Sequence, residues 1–202
     1  MLEHHNPATM GTLNAAGKFQ AAFFQSVTTR TAGFASISQS GLTNGSKLLA
    51  CMLMIVGGSP AGTAGGIKTT TVAVLLLTAI SVLRGNKDTE CYGRKITFEI
   101  IRVGITITLV TFVFWLFGVT VMTVIEPQQK VLDLMFEATS AMATVGLTVD
   151  LTPVLSDISH VVLMLMMYIG RIGPMTMALI FSGHVDKKNQ FRTLPEAKIM
   201  VG

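Results

Sequence analysis

The sequence predicts an all-α membrane protein built from helix–pore-loop–helix repeats, and three observations support this fold class. Half of the 202 residues are hydrophobic and only 13% are charged, whereas a soluble domain usually carries about 25% charged residues. The apolar residues are gathered into runs, and the mean hydropathy of the chain is +0.59. The sequence also matches itself at a constant offset, which indicates an internal repeat.

Four apolar runs supply the candidate membrane-crossing segments. Residues 100–125 and 161–181 are each long enough for the ~20 residues that a membrane helix requires, although Arg171 interrupts the second. Residues 48–56 and 72–83 are too short to cross alone. We expect these two runs to cross together, with the glycine-rich stretch between them as part of the same span.

The distribution of charge predicts how the runs are oriented. Basic residues cluster in two places, after the run 72–83 up to the start of the run 100–125, and after the run 161–181. They are Arg84, Lys87, Arg94, Lys95 and Arg102, then Lys187, Lys188, Arg192 and Lys198. The connection 126–157 is instead acidic, with Glu126, Asp133, Glu137, Asp150 and Asp157 against Lys130. By the positive-inside rule the acidic connection is external and the C-terminus cytoplasmic. No basic patch is interleaved with aromatic residues, so no nucleic-acid partner is expected.

The internal repeat appears when the sequence is shifted by 113 positions (136 − 23 = 113). The shift places Phe23 on Phe136, Thr31 on Thr144, Gly33 on Gly146 and Gly57 on Gly170. Each repeat has a fixed order of short apolar segment, glycine-containing loop and long apolar run. We expect residues 1–95 and 96–202 to form two repeats, of which the first lacks its leading helix.

Each repeat contains an apolar segment too short to span a bilayer, residues 19–27 and 132–140. These segments are followed by the loops TTRTAGF (28–34) and ATVGL (143–147). Irregular backbone at membrane depth is tolerated only where protein buries it or where it lines a water-filled cavity. Glycine lets such a loop turn its carbonyl oxygens inward, where they can replace the water shell of a cation. The pattern therefore predicts two re-entrant pore loops on the external side.

The stretch IVGGSPAGTAGGIKTTT, residues 55–71, has two interpretations. A phosphate-binding loop requires a glycine directly before the lysine, but Ile67 separates Gly66 from Lys68. A helix broken inside the membrane fits better, because proline removes a backbone donor and glycine costs about 1 kcal/mol per helical site. Placed beneath a filter, the unwound stretch would obstruct a conduction path. The alternative is a passive kink without a gating role.

Besides Arg102, near the start of the run 100–125, three basic side chains fall within the predicted membrane segments. Arg171 overlies Gly58 in the repeat, so both are expected at the same depth. A guanidinium there could hydrogen-bond the freed carbonyls of the glycine-rich stretch and repel cations, or it could pin two helices together. Lys68 is placed to extend toward the cytoplasmic side. Arg30, inside the first loop, is expected to brace that loop from behind rather than to bind an ion.

Four motifs in this order, TTRTAGF, GGSPAGTAGGIKTTT, ATVGL and GRIGP, resemble the Trk/Ktr/HKT superfamily of potassium transporters. The ending RTLPEAKIMVG resembles the C-terminus of the KtrB-type membrane subunits of that superfamily. The similarity covers essentially the whole chain. It implies a K⁺-channel-like architecture of four helix–pore-loop–helix repeats around one cation path, to which this chain contributes repeats three and four.

The resemblance also implies roles for two groups of residues. Backbone carbonyls of both loops would form part of a potassium selectivity filter, at Thr31, Ala32, Gly33, Thr144, Val145 and Gly146. The glycine-rich break of the third repeat and the arginine beneath the pore would form the gate, at Gly57, Gly58, Pro60, Gly62, Gly65, Gly66, Lys68 and Arg171. The implied partners are a second copy of the subunit and a cytosolic ring of nucleotide-binding RCK subunits. Potassium is the implied substrate and sodium a stimulating ion, and no cofactor or further metal is expected in this chain.

The chain departs from the family pattern because the first two repeats are absent, and half a filter cannot enclose an ion. We therefore expect either a fragment of a longer subunit or a chain that others complete. The expected function is potassium uptake across the bacterial plasma membrane. The alternatives are an alternating-access transporter, which also uses broken helices and repeats, and an inactive half-length protein. An enzyme is not expected, because the sequence shows no nucleophile–base pair, carboxylate pair or metal-ligand set.

Overall fold

The described parts of the apolar runs are largely α-helical, and the described residues are mostly helical, as predicted. The computed structural model describes residues 3–60, 65–86 and 88–173. Its helices, in chain order, are α1 Ala15–Thr28, α2 Asn44–Ile55, α3 Thr69–Leu83, α4 Phe98–Ile125, α5 Val131–Met142 and α6 Asp157–Ile172. The other regular elements of the described residues are an antiparallel hairpin, β1 Glu90–Cys91 with β2 Arg94–Lys95, and a 3-10 turn, Thr152–Val154.

Some of the sequence expectations concern residues outside these ranges. They are the basic residue Lys87, the glycine Gly62, the end of the apolar run 161–181 beyond Gly173, the basic cluster 187–198 and the ending RTLPEAKIMVG.

Helix α5 lies at the centre of the packing, in contact with α2, α4 and α6. Phe136 is fully buried in a cluster that includes Met54 of α2. Leu134, equally buried, packs with Met122 of α4 and Leu163 of α6. Burying a side chain of this size contributes about 1.5–3 kcal/mol. A helix too short to span a membrane is therefore fixed in place by its neighbours.

Helix α6 approaches the end of α5 at a glycine. A Cβ atom placed on Gly170 would lie 1.9 Å from the carbonyl oxygen of Met142, so no other residue fits at this position without a backbone shift. Gly118 of α4 faces Met166 of α6 in a similar way, but there the near atoms belong to a flexible side chain. Gly170 therefore sets how closely the last helix comes to the second loop, which begins directly after α5.

Helix α4 is the one helix among the described residues that is long and apolar enough to cross a membrane by length and composition; it has 28 residues, and an 18-residue stretch of it has a mean hydropathy of 2.2. Helices α2 and α3 are apolar but shorter. Much of the α4 surface is apolar and exposed, including Leu109 at 60% and Phe117 at 67%. Large exposed apolar surfaces of this kind mark contact with a membrane or with another protein segment.

The two short helices α1 and α5 occupy matching repeat positions but very different surroundings. Phe136 on α5 is completely buried, whereas Phe23, its counterpart on α1, is 65% exposed, and Phe19 is 71% exposed. The difference arises because α5 is enclosed by three helices while α1 packs little against the rest of the described chain. Repeat symmetry in the sequence is therefore not matched by symmetric burial.

The N-terminal segment is fastened to the start of α2 by the buried carboxylate of Glu3. Its oxygens accept hydrogen bonds from Asn6 Nδ2 (2.5 Å), Thr9 Oγ1 (2.8 Å) and the backbone N–H (2.9 Å) and hydroxyl (2.6 Å) of Thr43. Burial raises the pKa of Glu3, but hydrogen bonds from Ser46 and Thr43 outweigh it and lower the pKa to about 2. This stabilisation is complete above the usual pKa of 4.5 and is lost as the pH falls toward 2.

Breaking the ion pair between α2 and α5 is expected to destabilise the protein. Lys47 Nζ lies 2.6 Å from Asp133 Oδ1, and the two side chains are 8% and 20% exposed. The substitution Asp133→Ala leaves the Lys47 ammonium buried without its carboxylate. Removing one partner of a buried pair costs about 3–5 kcal/mol. The measurement is the midpoint of thermal unfolding of the full-length protein in detergent.

The exposed pair Lys95–Asp88 is the matched control, with side chains that are 62% and 46% exposed. Exposed pairs contribute about 0–1 kcal/mol, so Asp88→Ala should leave the midpoint nearly unchanged. The double variant Lys47→Met/Asp133→Leu should recover most of the loss, because it removes both charges. Equal unfolding midpoints for Asp133→Ala and Asp88→Ala would show that the Lys47–Asp133 pair does not stabilise the protein.

Candidate functional site

The loops that follow α1 and α5 meet backbone to backbone. A Cβ atom placed on Gly33 would lie 2.2 Å from the carbonyl oxygen of Val145, and one placed on Gly146 would lie 3.8 Å from the Cα of Gly33. The two glycines that the repeat pairs at an offset of 113 are therefore neighbours in space. Glycine is required at position 33, since any side chain would overlap the other loop.

Both loops have the same alternation in the sign of φ. Thr31 and Gly33 have φ values of +68° and +77°, and Thr144 and Gly146 have values of +54° and +92°. The residue between each pair, Ala32 or Val145, does not have a positive φ. The left-handed conformation costs a residue with a Cβ roughly 1–2 kcal/mol, so both threonines are held in it by their surroundings.

The bonds that hold the loops are donated by backbone N–H groups to the ends of the preceding helices. In the first loop, the N–H groups of Ala32 and Gly33 both lie 3.2 Å from the carbonyl oxygen of Thr28. In the second loop, the Val145 N–H donates to the carbonyl of Ser140 at 2.9 Å. In the described part of the chain, no backbone N–H group donates to the carbonyl oxygens of residues 31–33 or 144–146.

The glycine-rich stretch folds back on itself between α2 and α3. Helix α2 ends at Ile55 and α3 begins at Thr69, and the described residues between them are not helical. Val56 and Ile67 form an isolated parallel bridge. A Cβ atom placed on Gly57 would lie 2.1 Å from the Gly65 carbonyl oxygen, so the two ends of the stretch are in close contact.

The part of the stretch that precedes α3 contacts the start of the second loop. A Cβ atom on Gly65 would lie 2.3 Å from Thr144 Oγ1 and 2.7 Å from the carbonyl oxygen of Ala143. Gly66 lies against the Ala143 side chain and has a φ of +70°. The Thr144 hydroxyl is buried and makes no hydrogen bond to any described residue, which is rare for a buried polar group.

The structure connects the basic side chains to this site in different ways. Arg30 Nη1 donates to the carbonyl oxygen of Val56 at 2.7 Å, which joins the first loop to the end of α2 and supports the bracing role expected for Arg30. Lys68 is the N-cap residue of α3. Arg171, in the last turn of α6, lines a cavity of about 580 Å³ together with Thr144 and Gly146. Of the expected gate glycines, Gly62 lies outside the described residues, while Gly58 accepts a hydrogen bond from the Thr69 N–H.

Sequence analysis missed the polar side chains that tie each loop to its own short helix. Glu137 is not part of the exposed acidic connection, as its grouping with the external acids suggests; it lies on α5 and is 4% exposed. In the first repeat the corresponding connection is a hydrogen bond from Gln25 Nε2 of α1 to Gln39 Oε1, at 2.6 Å. The sequence feature that could have indicated a buried Glu137 is its position inside the apolar segment VLDLMFEATSAM.

Comparison with known proteins agrees with the motifs. A family model described as "TrkH: Cation transport protein" matches residues 1–192. The Ktr system potassium uptake protein B of Bacillus subtilis is 37% identical over 202 residues, which cover 100% of this chain and 44% of that protein. The protein of the same name from Vibrio alginolyticus is 36% identical, covering 90% of this chain and 40% of its own length. The potassium/sodium uptake protein NtpJ of Enterococcus hirae is 36% identical, covering 89% and 41%.

The chain thus spans less than half the length of these relatives. The family match, in contrast, extends over nearly all of it, and it confirms the resemblance drawn from the four motifs. The chain belongs to the TrkH family of cation transport proteins.

Proposed function

We propose that this chain is part of a channel-like potassium-uptake transporter of the Ktr/Trk type in the bacterial plasma membrane. The observation that carries the proposal is the contact between two Thr-x-Gly loops, at Gly33 and Val145, whose residues have the same signs of φ. Rings of backbone carbonyls replace the hydration shell of K⁺ in selectivity filters. Thr31–Gly33 and Thr144–Gly146 are the proposed ion ligands of this chain.

Carbonyl ligation suits a monovalent cation whose hydration shell must be exchanged at little net cost. The Thr/Gly stretches of both loops carry no carboxylate, so selectivity depends on the number and arrangement of carbonyl dipoles. Uptake is driven by the membrane potential, which contributes about 2.3 kcal/mol per charge for each 100 mV. Sodium acts as a stimulating ion in this proposal.

The glycine-rich stretch between α2 and α3 is the proposed gate. The contact of Gly65 with Thr144 and Ala143 supports this role, because it places the stretch against the first residues of the second filter loop. The stretch is then the unwound middle of one membrane-crossing segment formed by α2 and α3. Lys68 and Arg171 add positive charge near the same path and oppose the passage of cations while the gate is closed.

Other protein segments complete the transporter in this proposal. The remaining two filter loops come from the rest of the subunit, whose helices also cover exposed apolar residues of α1 such as Phe19 and Phe23. A second copy of the subunit forms a dimer with the first. A cytosolic ring of nucleotide-binding RCK subunits controls the gate from the basic, cytoplasmic side.

Replacing either filter glycine is expected to reduce potassium selectivity. Gly33→Ser and Gly146→Ser introduce a Cβ at φ values of +77° and +92°, and at position 33 it would overlap the Val145 carbonyl. The preference for K⁺ over Na⁺ should fall by at least about tenfold, which corresponds to ~1.4 kcal/mol of lost discrimination. The measurement is ion flux through the full-length transporter in liposomes.

Gly93→Ser is the matched control for backbone strain. Gly93 has a φ of +73° but no atom within 4 Å of the position that its Cβ would occupy. This variant should carry the same local strain and retain full potassium preference. Unchanged selectivity in both filter variants would refute the filter assignment.

Enlarging Gly65 is expected to open the gate. The Cβ of Gly65→Ala would overlap Thr144 Oγ1, so the stretch must move away from the second loop. Potassium flux should rise and depend less on the cytosolic ring, and deletion of residues within 58–66 should act in the same direction. Flux is measured in liposomes with and without the ring.

The double variant Gly65→Ala/Thr144→Ala tests whether overlap with the Thr144 side chain causes the expected rise in flux. It removes the Oγ1 and Cγ2 atoms that the new methyl group would meet at 2.3 and 3.0 Å, so part of the closed state should return. Flux that stays low and fully ring-dependent in Gly65→Ala and in the deletion would contradict the gating role.

A further inference from the structure

Glu137 is a buried carboxylate that neither the filter nor the gate uses. It lies in the second half of α5 and is 4% exposed. Carboxylates are almost never fully buried unless they are paired. The salt bridges of the described residues are Lys47–Asp133 and Lys95–Asp88, so no described cation pairs with Glu137. Its partners are instead neutral donors.

The three described hydrogen-bond donors to Glu137 all lie in the segment that follows the second loop. Oε1 accepts hydrogen bonds from Thr148 Oγ1 at 2.5 Å and from the Val149 N–H at 3.0 Å. Oε2 accepts from Thr152 Oγ1 at 3.0 Å. A carboxylate has enough acceptor sites for all three donors. The side chain therefore ties the short helix before the loop to the chain after it.

The loop between these two attachment points is held in disfavoured conformations. Thr144, Gly146 and Asp150 all have positive φ values, of +54°, +92° and +63°. Two of the three carry a Cβ, and such conformations persist only where the surrounding structure fixes them. The Val145 and Gly146 N–H groups attach the first part of the loop to Ser140. Glu137, about one helical turn before Ser140 on α5, attaches the chain that follows the loop.

The first repeat has a tie at the same place but of different chemistry. The repeat offset of 113 places Thr152 on Gln39 (152 − 113 = 39). Gln39 is 3% exposed and exchanges hydrogen bonds with Gln25 of α1 at 2.6 and 3.1 Å. The position that matches Glu137 itself is Phe24, which is 42% exposed. One loop is therefore held by an amide pair and the other by a carboxylate.

We propose that Glu137 is a positioning residue for the second filter loop. By holding Thr148, Val149 and Thr152 against α5, its carboxylate fixes the carbonyls of Thr144–Gly146 at the spacing that a dehydrated potassium ion needs. This inference rests on the proposed function, because it assigns the filter role to that loop. The role depends on hydrogen-bond acceptors at position 137 rather than on negative charge.

Two substitutions at position 137 separate acceptor geometry from charge. Glu137→Leu removes every acceptor, and the preference for K⁺ over Na⁺ should fall by at least about tenfold, as expected for loss of hydrogen bonds to a charged group. Glu137→Gln removes the charge, but its amide oxygen can accept two bonds and its NH₂ group can donate to Thr152. This variant should stay within about threefold of the unaltered selectivity. Both are measured as K⁺ and Na⁺ flux through the full-length transporter, per amount of folded protein.

A second pair of variants keeps the test decisive if Glu137→Leu does not fold. Thr148→Val/Thr152→Val removes two of the three donors and leaves the carboxylate and the backbone bond in place, so it should lower selectivity in the same direction. Thr123→Val is the control, because the Thr123 hydroxyl bonds within α4, to the Val119 carbonyl at 2.8 Å. It should retain full selectivity.

The outcomes distinguish this inference from the proposed function. If the unaltered transporter carries potassium and the threonine pair, with Glu137→Leu where it folds, keeps full selectivity, Glu137 has no positioning role. If Glu137→Gln loses as much selectivity as Glu137→Leu, charge rather than geometry is required and the inference is wrong. If the unaltered transporter shows no potassium preference, the proposed function fails first.

Discussion

The close approach of Gly33 to the Val145 carbonyl is the constraint on which the rest of the site depends. A backbone carbonyl can come this near to a Cα only where that residue lacks a side chain, which is the case at Gly33. The N–H groups of Ala32, Gly33 and Val145 bond to the ends of the preceding helices rather than across the contact. The Val145 carbonyl therefore lies at the contact between the loops, where the proposed cation path runs.

This arrangement requires a rigid support, and α5 provides it for the second loop. Its apolar side chains are enclosed by α2, α4 and α6, and the Lys47–Asp133 pair joins its N-terminal end to α2. Close packing of this kind resists small displacements. The left-handed Thr144 can therefore be maintained at a cost that an isolated loop would not tolerate. Helix α1 has fewer such contacts, and its apolar face remains exposed.

The glycine-rich stretch joins the two halves of the site. Next to α2, the Val56 carbonyl accepts a hydrogen bond from Arg30 of the first loop. Closer to α3, Gly65 contacts Thr144 of the second loop. One irregular segment is thus in contact with both loops, which is the geometry that the proposed gate uses. The bridge between Val56 and Ile67 keeps its two ends side by side.

The sequence alone determined the helical class, the apolar segments that became helices, the 113-residue offset and the two Thr/Gly loops. The helices and loops follow from local composition and periodicity, which act over a few residues, and the offset follows from comparing the sequence with itself. The tertiary structure decided that Glu137 is buried and bonded to Thr152, that Gly65 meets Thr144, and that Phe23 is exposed while Phe136 is not. Those facts depend on which surfaces face one another after packing. Residues far apart in the chain carry no local signal of such contacts, because burial and hydrogen bonding are set by the neighbours that folding brings together.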